Sequence, residues 1–307
     1  TDVGNSPNAF TYTLNDNTLA ANYEITKVEG TLTVTAITTQ IVITAASDSK
    51  KYDGTPLTNA GYTYTQNVLA TGDTLTAVVA GTITNVGTAD NVVTSYKVMR
   101  GSTDVTANYT FGASVKGALT ITKRAVTLTS ATDSKVYDGT ALTNNTVTVT
   151  GDGFATGEGA TYNVTGTRTD VGNSPNAFTY TLNGNTLAAN YEITKVEGTL
   201  TVTALTTKVT VTITENSGTV MYDGAEKTVT GYTVAISNPL YKESDFTFSG
   251  NATVKGTNAG VYNMELIPGN FINNNTNFTN VEFVIVDGML TITKRAVTLT
   301  SATDSKV

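Results

Sequence analysis

The chain of 307 residues contains no cysteine, no histidine and no tryptophan, and only 5 prolines and 4 methionines. Without cysteine there is no disulfide to staple a small fold, and without Cys or His there is no structural zinc site, so stability must come from apolar cores. The missing His and Cys also remove the commonest general bases and nucleophiles, and the carboxylates recur at no catalytic spacing. No glycine-rich phosphate loop leads from a strand into a helix. Enzymatic activity, a cofactor and a bound metal are therefore not expected. Charge is sparse, at 14% Asp, Glu, Lys and Arg with a net charge of −7. No basic stripe exists to neutralise phosphates, which argues against nucleic acid and anionic membranes as partners. Runs of 18 apolar residues are absent too, so no membrane contact is expected of this segment.

Threonine is abundant, at 66 of 307 residues. With valine, isoleucine and tyrosine it favours pleated, half-buried surfaces over helices. Leu119 and Ile121 alternate with Thr120 and Thr122, and Val209, Val211 and Ile213 alternate with threonines. Such alternation predicts short strands with one wet face, in antiparallel sheets. The reading is all-β, with small two-layer β-sandwiches of immunoglobulin type; a β-grasp-like sheet is the alternative.

The chain repeats itself. Tyr52-Asp53-Gly54, Tyr137-Asp138-Gly139 and Tyr222-Asp223-Gly224 recur every 85 residues. After each comes a Val-Gly or Ala-Gly step ending at Gly87, Gly172 or Gly260, then Asn108-Tyr109, Asn190-Tyr191 or Asn277-Phe278. Each unit closes on Gly-x-Leu-Thr-(Ile/Val)-Thr, at 117–122, 198–203 and 288–293. A fixed period of domain size marks a tandem array. Repeat domains are expected at 39–123, 124–207 and, more divergent, 208–294. Residues 1–38 are expected to be the C-terminal part of a repeat and 295–307 the start of another, in a parent longer at both ends.

Residues 1–39 and 169–207 differ only at Asp16/Gly184 and Ile37/Leu205, and 124–136 is identical to 295–307. At every junction the apolar parity switches, as from Leu119/Ile121 to Val126/Leu128. One uninterrupted strand would keep its parity, so each junction must hold a bulge, twist or bend. The linkers lack Gly, Pro and Ser tracts. Closely coupled domains in an extended rod are expected, at roughly 35–40 Å per unit for strands rising about 3.3 Å per residue.

Lys-x-Tyr-Asp-Gly-Thr-x-Leu-Thr at 50–58 and 135–143, with the motifs that follow it, resembles the YDG/MBG-type tandem repeats of bacterial cell-surface proteins. The resemblance spans essentially the whole chain. Unit 208–294 departs from it at Val220, at Ala225-Glu226-Lys227 and at Asn277-Phe278. The resemblance implies a secreted or wall-anchored, adhesin-like protein outside a bacterial cell, and it carries no catalytic residue onto this chain. Three roles are compatible with it: a stalk giving reach, a repeated glycan- or protein-binding module acting by avidity, and a self-associating filament or matrix protein. The partners are accordingly neighbouring repeats, host glycan or protein, or other copies of the chain.

Among individual residues, Tyr-Asp-Gly reads first as a structural turn: Asp-Gly favours a positive φ, and the tyrosine packs while its hydroxyl finds a partner. Gly87, Gly172, Gly260 and the Asn-Tyr steps are read the same way. Two chemical alternatives stand beside this. Asp152, Glu158, Asp73 and Asp245 could contribute oxygens to calcium, although no Asp-x-Asp-x-Asp run is present. Lys50 or Lys135 could form an isopeptide bond with Asn108 or Asn190, with Glu24 or Glu192 as the assisting carboxyl.

Overall fold

The computed structural model describes residues 1–306, so Val307, the last residue of the expected opening segment, lies outside the described residues. They form 29 strands and five single-turn 3-10 helices, in many small sheets. The chain is all-β, as the threonine-rich alternation requires. No helix among the described residues is long and apolar enough to cross a membrane. Two compact units are present, and the limit between them runs through the sequence repeat 124–207.

The first unit comprises 1–128, 149–161 and 180–195. Its centre is strand Gly117–Thr122, parallel to Asp48–Lys51 on one side and antiparallel to Gly87–Arg100 on the other. Asp73–Ala80 extends this sheet along Gly87–Arg100, with a register shift between Val78 and Val79. Ile37–Ile41 pairs in parallel with Tyr109–Phe111. Ile41, Ile43, Leu75, Val98, Val105 and Tyr109 form the core between these elements.

The second unit comprises 129–148, 162–179 and 196 onward. Thr199–Thr203 lies between Asp133–Val136, parallel, and Gly172–Pro175, antiparallel. Met289–Thr293 likewise lies between Gly218–Met221, parallel, and Gly260–Asn263, antiparallel. The largest core gathers Val209, Val211, Ile213, Tyr241, Phe246, Phe271, Phe278, Leu290 and Ile292. Here the third repeat differs inside. Met264 stands where the other repeats bury Asn91 and Asn176, and the buried Glu215 carboxylate accepts the Leu266 and Gly288 N–H groups, both at 2.7 Å.

The sheets around the closing strands are mixed, whereas several two-stranded sheets are antiparallel as expected. Leu119 lies opposite Asp48, Leu200 opposite Asp133, and Leu290 opposite Gly218, so the closing strand of each repeat runs parallel to an early strand in one shared register. Alternation reports which face a residue takes and is blind to strand direction. The glycine that opens each closing motif follows from this pairing. A Cβ at Gly117 would lie 2.2 Å from Ala46 O, at Gly198 2.4 Å from Ala131 O, and at Gly288 2.5 Å from Asn216 O. Backbone oxygens cannot retreat as a flexible side chain can, so only glycine fits.

The parity switch appears as burial. Leu119 and Ile121 are buried before the break at Lys123, and Val126 and Leu128 after it. Leu200 and Val202 are buried before strand Thr199–Thr203 stops, and Val209, Val211 and Ile213 after it.

Candidate functional site: a clamp repeated at each junction

The Tyr-Asp-Gly segments sit where each closing strand ends. Tyr52 N–H donates to Thr122 O, Tyr137 N–H to Thr203 O, and Tyr222 N–H to Thr293 O, at 2.8–2.9 Å. The aspartate then turns the chain: Asp53 Oδ1 accepts the Thr55 N–H (2.9 Å), Asp138 Oδ1 the Thr140 N–H (2.9 Å), and Asp223 Oδ1 the Ala225 N–H (3.0 Å). Gly54, Gly139 and Gly224 follow at φ +83°, +79° and +86°, a conformation that glycine adopts without strain. Lys50 and Lys135 place their ammonium groups 2.7 Å from Asp53 and Asp138. Those hydrogen bonds, with the Thr55 and Thr140 donors, hold both carboxyls well below the usual carboxylate range. Val220 cannot do this for Asp223, and Lys227 supplies the ammonium from the other side of the turn.

Gly87, Gly172 and Gly260 each begin a strand, Gly87–Arg100, Gly172–Pro175 and Gly260–Asn263. The two residues before Gly87 and Gly172, and likewise those before Gly4, form a station for a side chain of the next repeat. Val86 N–H donates to Asn190 Oδ1 (3.0 Å), and Asn190 Nδ2 donates to Asn85 Oδ1 (3.0 Å). Val171 N–H donates to Asn277 Oδ1 (2.8 Å), and Asn277 Nδ2 donates to Asp170 Oδ1 (3.0 Å). Val3 N–H donates to Asn108 Oδ1 (2.8 Å), and Asn108 Nδ2 donates to Asp2 Oδ1 (3.0 Å). Asparagine suits this task because its amide carries the acceptor oxygen and the donor nitrogen on separate atoms, so one side chain meets a backbone N–H and a side-chain oxygen at once. Asn108 and Asn190 each end a one-turn 3-10 helix, Thr106–Asn108 and Ala188–Asn190, which fixes the amide's direction.

The aromatic residue after the clamp asparagine binds a carboxylate. Tyr191 donates to Glu158 Oε2 (2.7 Å), while Tyr52 of the preceding repeat donates to Glu158 Oε1 (2.5 Å). The two rings meet edge to face at 5.6 Å. Burial, with Glu158 alongside, pushes the Tyr191 hydroxyl up to about 12. Burial and the same carboxylate raise Tyr52 as well. Tyr109 donates to Asp73 Oδ2 (2.6 Å), and Arg100 grips that carboxylate with Nε at 2.7 Å and Nη2 at 2.9 Å. Arg100 Nη1 continues to Asp2 Oδ1 at 3.1 Å, reaching the preceding repeat as Tyr52 reaches Glu158. Arg100 first, then Tyr109, hold the Asp73 carboxyl below its ordinary range.

The third repeat changes both partners together. Phe278 has no hydroxyl to give, and Tyr137 of the preceding repeat meets its edge at 5.4 Å. Asp245 turns instead to the Lys242 N–H at 2.7 Å. A second set of contacts tightens the junction at Lys123: Lys51 Nζ binds Asp152 at 2.7 Å, and Arg124 donates to Gly153 O (2.7 Å) and Tyr52 O (3.3 Å).

The isopeptide arrangement is not assembled. Lys50 is held by Asp53 and Thr55, Lys135 by Asp138 and Thr140, and Asn108 and Asn190 by their stations. The carboxylate that reaches the Asn-Tyr step is Glu158, supplied from a distant loop. The acidic residues considered for calcium have the partners just described, and no group of three or more potential metal ligands occurs among the described residues. In the sequence, the residues at 85–86 and 170–171 read only as landmarks of the repeat. The signal that points to the joint is joint variation: where Tyr becomes Phe278, Asp245 has a different task. Comparison with family models, with curated proteins and with solved structures finds no match to this chain.

Proposed function

We propose that the chain is a structural stalk or filament segment of a bacterial surface adhesin, giving reach and stiffness outside the cell. One observation carries the reading: at each of three junctions an asparagine of the following repeat closes on the two residues before the glycine of the preceding one. A binding module needs its ligand surface repeated; a stalk needs its joints repeated, and here it is the joints that recur with the same atoms. The Tyr52–Glu158–Tyr191 bridge and the Asp152 and Arg124 contacts add rigidity where a flexible tether would have none. In this reading each repeat is a small immunoglobulin-like β-sandwich, and the repeats follow one another in an extended rod.

Small-angle X-ray scattering of the full chain tests it. A globule of this length has a radius of gyration of about 19 Å. A rod of on the order of 130 Å, from strands rising about 3.3 Å per residue, gives roughly twice that value. A radius near the globular figure refutes the stalk.

A further inference from the structure

The chain holds a single Asn-Gly pair, Asn183-Gly184, between strand Phe178–Leu182 and the 3-10 turn Ala188–Asn190. An asparagine side chain can be attacked by the next residue's amide nitrogen, and glycine, with no Cβ, leaves that nitrogen uncrowded. Both reactants are open here. Asn183 and Gly184 are exposed, and a Cβ at Gly184 would meet nothing within 4 Å. Neither the Asn183 side-chain amide nor the Gly184 N–H has a hydrogen-bond partner among the described residues. Other turn asparagines are committed: Asn59 Nδ2 donates to Asp48, Asn144 Nδ2 to Asp133, and Asn185 Nδ2 to Gly157 O.

This turn also braces a joint. Asn183 N–H donates to Gly159 O (2.9 Å), Thr186 N–H to Asn183 O (2.9 Å), and Gly159 N–H to Thr186 Oγ1 (2.9 Å). Gly157 and Gly159 flank Glu158, the carboxylate that holds Tyr52 and Tyr191 together. The turn then leads into Ala188–Asn190, which aims the clamp amide at Asn85 and Val86.

We propose that Asn183-Gly184 is a self-modifying site whose conversion to isoaspartate loosens the joint made by Glu158 and Asn190. The Gly184 nitrogen, its proton lost to base, attacks Asn183 Cγ; the N–Cγ bond forms as the Cγ–Nδ2 bond breaks, and Nδ2 leaves as ammonia. Water then opens the five-membered imide. Opening at Cγ gives aspartate, and opening at the α-carbonyl gives isoaspartate, so the only co-reactant is water. In isoaspartate the main chain runs through Cβ and Cγ, one methylene longer, and the former Asn183 C=O becomes a free carboxylate. The Thr186 N–H then loses the acceptor that closes the turn, and the loop carrying Glu158 loses its brace. Segment 1–39, otherwise nearly the same as 169–207, has Asn15-Asp16 at this place, where a side chain crowds the attacking nitrogen.

The full chain and two full-length variants, Gly184→Asp and Asn183→Gln, test it during prolonged incubation in mildly alkaline buffer. Peptide mapping with an isoaspartate-specific methyltransferase reads the modification, and hydrogen exchange at Val86 reads the joint. The peptide carrying Asn183 is expected to gain about 1 Da, ammonia lost and water taken up, with methylatable isoaspartate in it. The gain should be faster at higher pH, and Val86 should exchange faster as the product accumulates. Both variants should keep their Val86 protection, and neither should form isoaspartate at position 183 at a comparable rate. An unchanged Asn183 peptide, or equal isoaspartate in Gly184→Asp, overturns the site. Isoaspartate at Asn183 with Val86 protection unaltered overturns its effect on the joint.

Discussion

Asn190 Oδ1 accepts the Val86 N–H at 3.0 Å across 104 residues of sequence, and its Nδ2 returns a hydrogen bond to Asn85 at 3.0 Å. Asn190 is 1% exposed and Val86 is half-buried, whereas Asn85 is exposed, so cutting the side chain back strands the Val86 N–H while water reaches the Asn85 amide. Asn190→Ala leaves that backbone donor unpaired, and it is expected to cost about 1–3 kcal/mol in urea unfolding. Val105→Thr, which leaves every clamp atom in place, should leave the junction's hydrogen exchange protection at Val86 intact, whereas Asn190→Ala should abolish it.

Aspartate in place of the clamp asparagine separates its two roles. The acceptor survives and the donor becomes a charge facing the station. Asn190→Asp then meets the neutral Asn85, but Asn277→Asp meets the Asp170 carboxylate, now 3.0 Å from where Nδ2 stood. Like charges at that range repel. Asn277→Asp should therefore destabilise more than Asn190→Asp at neutral pH. The excess should vanish as acid protonates one of the two carboxyls, read by thermal melts across pH.

Tyr191 contributes to the alkaline limit, as does Tyr241, which burial also pushes up to about 12. The Tyr191 hydroxyl is raised from an ordinary 10.0 to about 12, by burial first and with Glu158 as a neighbouring negative charge. The protonated form is the one the fold prefers. The stability it contributes is full below pH 10 and is lost as pH rises through the window from 10 to about 12. Tyr191→Phe should remove its share of the loss of stability across that window, with Tyr241 keeping the rest, and tyrosinate absorbance should lose one late-titrating component. The acid limit has the opposite sign. Asp73 is lowered by Arg100, then Tyr109, so its contribution is present above the ordinary carboxylate value of 3.8 and fades as pH falls below it. Asp73→Asn should remove that acid dependence.

Much of this fold is legible in the sequence, and the illegible part has a physical cause. Leu119, Ile121, Val126 and Leu128 state their faces and the break between them by parity alone, because side-chain direction alternates residue by residue. Nothing in those letters states that Gly117–Thr122 runs parallel to Asp48–Lys51. The Tyr-Asp-Gly turn is readable since Asp53 and Gly54 act on neighbours within two residues. Asn190 is not, for its partners lie in another repeat, and an Asn-Tyr step reads the same whether it caps a local turn or holds a distant loop. Glu158 is harder still. Only its two tyrosine donors, one from each repeat, reveal that a lone glutamate belongs to a joint.

Glycine at the head of each closing strand should tolerate no change. Gly198→Ala places a methyl 2.4 Å from the Ser130 and Ala131 carbonyl oxygens, and relief requires moving the paired backbone. A loss of about 3 kcal/mol is expected, the upper part of the range for overpacking. A Cβ at Gly184 would meet nothing within 4 Å, and the near-identical segment 1–39 carries Asp16 at its place. Gly184→Asp should stay within about 0.5 kcal/mol of the original. Equal losses at both positions in parallel denaturation curves would show that the close approach to Ser130 and Ala131 is not what demands glycine.

The third repeat's turn offers a test of compensation. Lys227 reaches Asp223 where Lys50 and Lys135 reach Asp53 and Asp138 from the opposite side of the turn in sequence. Lys227 is the first cause of the lowered Asp223 carboxyl, ahead of the Ala225 N–H. Removing it with Lys227→Ala should bring the Asp223 titration back toward the ordinary carboxylate range, followed by carboxyl carbon shifts in NMR. Adding Val220→Lys to that variant restores the arrangement of the other repeats, Lys three residues before Asp. The titration should then fall again. If the double substitution leaves Asp223 where the single one put it, the two lysine positions are not equivalent, and the third repeat's turn is built differently from the Lys-x-Tyr-Asp-Gly turns it otherwise matches.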